Sequence, residues 1–116
     1  MNGSLTFDDY IKLFENKEIV SKNYNENRIQ PSSIDLTLSN ECYEIKYSFL
    51  NPKGKVRSKL KEISKTKYNI SKGLVFKKNH TYIVRLNENL NLSSNLKGKC
   101  NPKSSTGRLD IFCRTI

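Results

Sequence analysis

Apolar residues alternate with polar ones through the middle of this chain, and that period of two decides what it can fold into. Ile34, Leu36 and Leu38 alternate with Asp35 and Thr37. Tyr43, Ile45 and Tyr47 alternate with Glu44 and Lys46, and Ser39-Asn40 between the two runs reads as a turn. Tyr82, Val84 and Leu86 alternate again, and Leu74-Val75-Phe76 reads as one more short strand. Short strands separated by turn residues predict an all-β sandwich or barrel. One helix precedes them, over residues 6–16. Thr6 and Asp9 fit a capping box, and Phe7, Tyr10, Ile11 and Phe14 form one apolar face. A polar connector, "SKNYNENRIQ", then leads to Pro31 and the first extended segment.

The chain has 116 residues, so one domain is the ceiling. Hydrophobic residues make up 35%, which leaves little apolar material to spare, and a partner subunit or further chain could supply what is missing. The net charge of +10 is uneven. Residues 53–78 hold ten Lys or Arg and one acid, Glu62, which leaves +1 for all the rest. "NPKGK" at 51–55 opens this block, which reads as a basic loop. Such a block favours polyanions, or it is simply a solvated loop. With 16 Lys against 5 Arg and 14 Asn, the composition suits the second reading.

Cys42, Cys100 and Cys113 have no paired spacing, and His80 is the sole histidine. Without CxxC or HxxxH, the sequence argues against zinc. An odd cysteine count without a framework fits a reducing cytoplasm. The N-terminus lacks a basic region followed by an apolar run, and no apolar stretch approaches the roughly 20 residues of a membrane span. His80 reads as structural.

"NPKSSTGRLD" at 101–110 concentrates two hydroxyl-bearing serines, a glycine and two cations between Lys103 and Arg108. Ser104 can donate and accept, so it can orient water or an oxyanion; it can equally be a turn serine bonded to its own backbone. Thr106-Gly107 can aim successive N–H groups inward as an anion nest, and Gly107 is also what a turn with positive φ needs.

Two stretches together carry a resemblance. "IQPSSIDLTLSNECYEI" (29–45) resembles the early strand signature of the deoxycytidine triphosphate deaminases, which share the deoxyuridine triphosphatase-like fold. "NPKSSTGRLDIF" (101–112) resembles that family's central phosphate-binding motif, in particular that of the longer alphaproteobacterial-type enzymes with tandem domains. The basic loop at 53–72 matches least. The resemblance implies a mainly β, incomplete, distorted barrel or jelly roll with a short N-terminal helix. It implies a homotrimer with sites at subunit interfaces, hydrolytic deamination of dCTP to dUTP and ammonia, and magnesium accompanying the triphosphate.

By the same resemblance Ser104 and Arg108 are catalytic. Lys103, Ser104, Ser105, Gly107 and Arg108 bind substrate and phosphate, while Asp35 holds the fold. The family's catalytic glutamate lies downstream of the Ser-Ser motif. Only six residues follow Asp110 here, and none is an acid. Residues 1–116 are therefore expected to be the N-terminal part of one such domain, without its general base, and inactive alone. The alternatives are a deoxyuridine triphosphatase and a non-catalytic nucleotide-binding or regulatory homologue. Membrane and nucleic acid are not expected partners. The basic block offers only Tyr68 and Phe76 as rings for single-strand stacking.

Overall fold

Thr6 closes the expected capping box with Asp9. The Thr6 amide donates to Asp9 Oδ2 (2.9 Å), and Thr6 Oγ1 accepts from the Asp9 amide (3.4 Å). The same contact, Thr6 backbone first, holds the Asp9 carboxyl below its ordinary range. The helix it starts is α1 (Phe7–Glu15) in the computed structural model, which describes residues 3–50 and 53–116. Short strands β1 (Ile19–Val20), β2 (Ile29–Gln30) and β3 (Ser33–Ile34) follow. Leu13, Ile19 and Ile29 are buried along α1, β1 and β2.

The next strand departs from the expected pattern. β4 runs unbroken from Leu38 to Ile45, so Ser39-Asn40 lies within a strand rather than in a turn. Leu36 falls outside it, and so does Tyr47. β4 is the centre of a three-stranded antiparallel sheet in the order β5-β4-β6; Leu38 and Cys42 both pair with β6, and the irregularity between them takes up Ser39-Asn40. β5 is Ser64–Asn69 and β6 is Thr81–Leu86. The expected Leu74–Phe76 strand does not form; the segment is irregular. β7 (Asn89–Leu90) pairs with β1, and β2 pairs with β3. The protein is mainly β in three small sheets, with no closed barrel among the described residues.

The basic block is not a loop. Its first part is a helix, α2 (Val56–Ile63), and its middle is β5. Val56, Leu60 and Ile63 recur at helical spacing, and lysines fill the other faces. Leu60 and Ile63 pack with Ile45 and Phe49 into the core cluster, against Tyr43, Val56 and Ile83. Register puts Tyr43 opposite Lys67 and Ile83 on the helix-covered face of the sheet. Cys42 and Glu44 alternate onto the other face, with Thr66, Tyr68, Tyr82 and Val84 opposite them.

A buried carboxylate ties the first signature segment to the sheet. Glu88 accepts from the Thr37 amide (2.9 Å) and from Thr37 Oγ1 (2.8 Å). The Asn87 amide donates to Thr37 O (2.9 Å), and Asn87 Nδ2 donates to Leu38 O (2.9 Å). These bonds fix the backbone two residues beyond Asp35.

Candidate functional site

Residues 104–108 form a single short helix, α3 (Ser104–Arg108), rather than an open turn. Lys103 enters it with extended backbone (φ −63°, ψ 153°). The helix ends in a Schellman arrangement. Asp110 is left-handed (φ 58°), its amide donates to Gly107 O (3.0 Å), and the Ile111 amide donates to Thr106 O (3.3 Å). Asp110 therefore takes the left-handed position expected of Gly107, since a short polar side chain tolerates it. Gly107 is helical, and its N–H is spent on Lys103 O (3.0 Å), so the anticipated anion nest at Thr106-Gly107 is not formed.

The helix arranges the polar side chains by simple periodicity. Ser104 and Arg108 are four apart and share a face, with Ser105 turned to the side. Ser104, Ser105, Gly107 and Arg108 are exposed, and Thr106 is half-buried. Lys103 reaches back across the chain: its Nζ donates to Asp35 Oδ2 at 2.6 Å. One contact thus joins the "PSSIDL" segment to the "KSSTGR" segment. Lys103 remains 68% exposed there and Asp35 31%, so the ammonium stays reachable from solvent. Arg114 Nη2 donates to Ser48 Oγ (2.7 Å) and anchors the following segment beyond the end of β4.

Chemically, this surface offers two cations, Lys103 and Arg108, and the exposed hydroxyls of Ser104 and Ser105 within six residues. It can hold an anion by charge-assisted bonds and orient water or a substrate atom. Of the two acids nearest this motif, Asp35 is engaged with Lys103 and Asp110 is exposed after the helix. No group of three or more His, Cys, Asp or Glu that could hold a metal occurs among the described residues.

Two carboxylate clusters lie on the central sheet and have no counterpart in the sequence reading. Glu41 meets Arg57 (3.0 Å), Arg85 (3.5 Å) and Lys67 (3.9 Å). The Arg57 hydrogen bond first, then that of Tyr43, brings its carboxyl down to about 2. Glu44 is buried and accepts from Tyr68 Oη (2.9 Å), with His80 Nδ1 at 2.7 Å. His80 stands immediately before β6 and is held there by its contact with Glu44. The signal for both clusters was in β4 itself: Glu41 and Glu44 stand three residues apart, so strand alternation puts them on opposite faces of the sheet.

The family model described as the 2'-deoxycytidine 5'-triphosphate deaminase (DCD) N-terminal domain matches residues 1–116. No curated protein matches the chain. Among solved structures, the chain is similar to the crystal structure of 2'-deoxycytidine 5'-triphosphate deaminase from Agrobacterium tumefaciens, with a TM-score of 0.89 and 36% identity. The match covers 95% of this chain and 34% of that one, so the chain spans about a third of that relative's length.

Proposed function

Since the chain belongs to the 2'-deoxycytidine 5'-triphosphate deaminase N-terminal domain family, we propose that the protein carrying it deaminates dCTP hydrolytically to dUTP and ammonia. The reaction needs water activated for attack at C4, a proton delivered to N3, and a held tetrahedral centre while ammonia leaves. In this reading Ser104 orients the water and the reacting ring. Arg108, on the same helical face, stabilises charge at that centre. Lys103 and Ser105 take the phosphates of a magnesium-bound triphosphate, which Gly107 admits by having no side chain, with the metal arriving as part of the substrate. The general base is a glutamate outside these 116 residues.

The observation that carries the proposal is the 2.6 Å contact between Lys103 and Asp35. It joins the two segments on which the resemblance rests, and it leaves Ser104, Ser105 and Arg108 free at the surface beside a cation. Lys103 would exchange Asp35 for a phosphate oxygen on binding. Exposed apolar side chains at Leu109, Ile111, Phe112 and Ile116 support a neighbouring subunit or further chain over this region, in keeping with a homotrimer. Three free thiols suit a reducing, cytoplasmic setting. No helix among the described residues is long and apolar enough to cross a membrane.

The test is ammonia release from magnesium-dCTP by the natural full-length protein. Ser104→Ala and Arg108→Lys should each lower kcat about 100-fold or more, as removal of one positioned donor does. Lys103→Gln should act mainly on KM. Pyrophosphate release with the base intact, or nucleotide binding without turnover, would defeat the proposal.

A further inference from the structure

We propose that the sheet face opposite α2 is a binding surface for single-stranded nucleic acid, with Phe76 as its base-stacking ring and Lys72, Lys77 and Lys78 as its phosphate contacts. This surface is separate from the site at α3. The sequence reading set nucleic acid aside because the basic block held too few rings. Folding supplies the missing ones from outside the block. The 70–80 segment folds back so that Phe76 stacks on Tyr82 of β6, with centroids 4.4 Å apart and planes 21° apart. Tyr68 and His80 each lie 6.5 Å from the same Tyr82 ring, and the His80 plane is also within 21° of it. Four rings from two strands and one loop are thus gathered on one face.

The rings are held, not merely adjacent. The buried Glu44 carboxylate fixes two of them, through Tyr68 Oη at 2.9 Å and His80 Nδ1 at 2.7 Å. Those two bonds, His80 first, also hold the Glu44 carboxyl below its ordinary range. Tyr82 is fixed by its hydroxyl, which accepts from the Lys77 amide at 3.1 Å. A stacking partner would therefore find rings already in place, and little ordering would be lost on binding. Phe76 lies outermost and is 47% exposed. One face of it is covered by Tyr82, so a base can stack on the other.

The charge fits the same occupant. Residues 70–82 contain Lys72, Lys77 and Lys78 and no acid. All three lysines are exposed. Glu44, the acid beneath the rings, is buried and lies 3.8 Å from Lys65 Nζ, so it does not cancel them. Elsewhere in the block, Arg57, Lys59 and Lys67 are paired with Glu41 or Glu62. Lys72, Lys77 and Lys78 meet no carboxylate in any ion pair among the described residues, a condition they share with Lys53, Lys55 and Lys61. Ring faces plus a polyanion-seeking edge are what a single strand requires, because every base presents a π-face and every link a phosphate. An acidic polypeptide would use the lysines but leave the rings idle.

The experiment is fluorescence anisotropy of a 5'-labelled oligothymidylate of about 12 nucleotides against the natural full-length protein at low salt. Binding should fall with salt, with a log–log slope of about −2 for three lysines on a single strand. Phe76→Ala should weaken it about tenfold, and Phe76→Tyr should restore it. The double change Lys77→Gln, Lys78→Gln should flatten the slope by about 1.4. Deaminase activity should be unchanged in all of these variants, which keeps this outcome separate from the fate of the proposed function. The proposal is overturned by no measurable binding, or by binding indifferent to Phe76→Ala. It is equally overturned if polyglutamate of matched charge competes as well as the unlabelled oligonucleotide, or if magnesium-dCTP displaces the probe completely.

Discussion

Glu41 shows how much of this molecule is decided by partners distant in sequence. One carboxylate on β4 serves Arg57 of α2, Lys67 of β5 and Arg85 of β6, at 3.0, 3.9 and 3.5 Å. The cations outnumber it, so its carboxyl sits at about 2 against an ordinary 4.5, through the Arg57 bond above all. A folded-state value below the unfolded one stabilises the fold above the unfolded pKa. That stabilisation is then lost as pH falls from about 4.5 toward 2. The expected outcome is that Glu41→Gln is less stable than the parent at about pH 7, and that the gap closes near about pH 2. Urea unfolding of both proteins across that range reads it, and the comparison cancels the titration of Glu44 and the other acids. A gap that stayed constant down to the lowest pH would mean that charge is not what Glu41 contributes. The same distance explains what was legible at the proposed site. Lys103, Ser104, Ser105 and Arg108 stand in one string, so their chemistry can be read there. That Lys103 reaches Asp35 could not be, and neither could the transfer of the left-handed position from Gly107 to Asp110.

At the scale of elements, α1 and α2 make an instructive pair. α1 has a cap whose two residues lie three apart and a hydrophobic face uninterrupted by charge, so it is visible in the sequence and forms within a residue of its expected bounds. α2 has no side-chain cap, and its apolar residues are set among Arg57, Lys59 and Lys61. It is stabilised by tertiary packing rather than by local signals, which is why charge masked it. Its anchor is Ile63, fully buried against Ile45 and Phe49. Ile63→Ala should cost about 2–5 kcal/mol, through lost transfer energy and the cavity left behind. Lys61→Ala, on the exposed face, should change stability by less than about 0.5 kcal/mol. Chemical denaturation of the two variants distinguishes a core helix from a solvated basic loop: equal, small effects would return the segment to the loop reading. β4 follows the same rule. Ser39 and Asn40 favour a turn locally and lie at an irregularity of the β4–β6 pairing between Leu38 and Cys42, but the paired residues on either side carry the strand through them.

For the whole molecule, the period-two alternation was enough to give a mainly β fold. It could not give the division into three small sheets, which depends on which distant segments pair. The surface left over is informative. The central sheet has β5 and β6 at its edges, and these carry Lys65, Lys67 and Arg85, charges that discourage edge-to-edge pairing. The segment after α3 has no such protection: Leu109 is 73% exposed, Phe112 90% and Ile116 57%. Two forces then act on the 116-residue polypeptide when it is made alone. Apolar contact favours association through 109–116, while a net charge of +10 opposes it. Salt screens the second and leaves the first, so self-association should rise with ionic strength, with a Debye length of about 10 Å at 0.1 M and about 3 Å at 1 M. Light scattering of the isolated polypeptide along a salt series measures this. Leu109→Ser with Phe112→Ser should suppress the rise, whereas in the proposed full-length assembly the same pair should weaken the contact that would cover these side chains. Association that weakened with salt would mean that charge complementarity, not the apolar segment, brings the copies together. The direction is opposite to that expected for an oligonucleotide on the lysines beside Phe76, so one salt series separates the two surfaces.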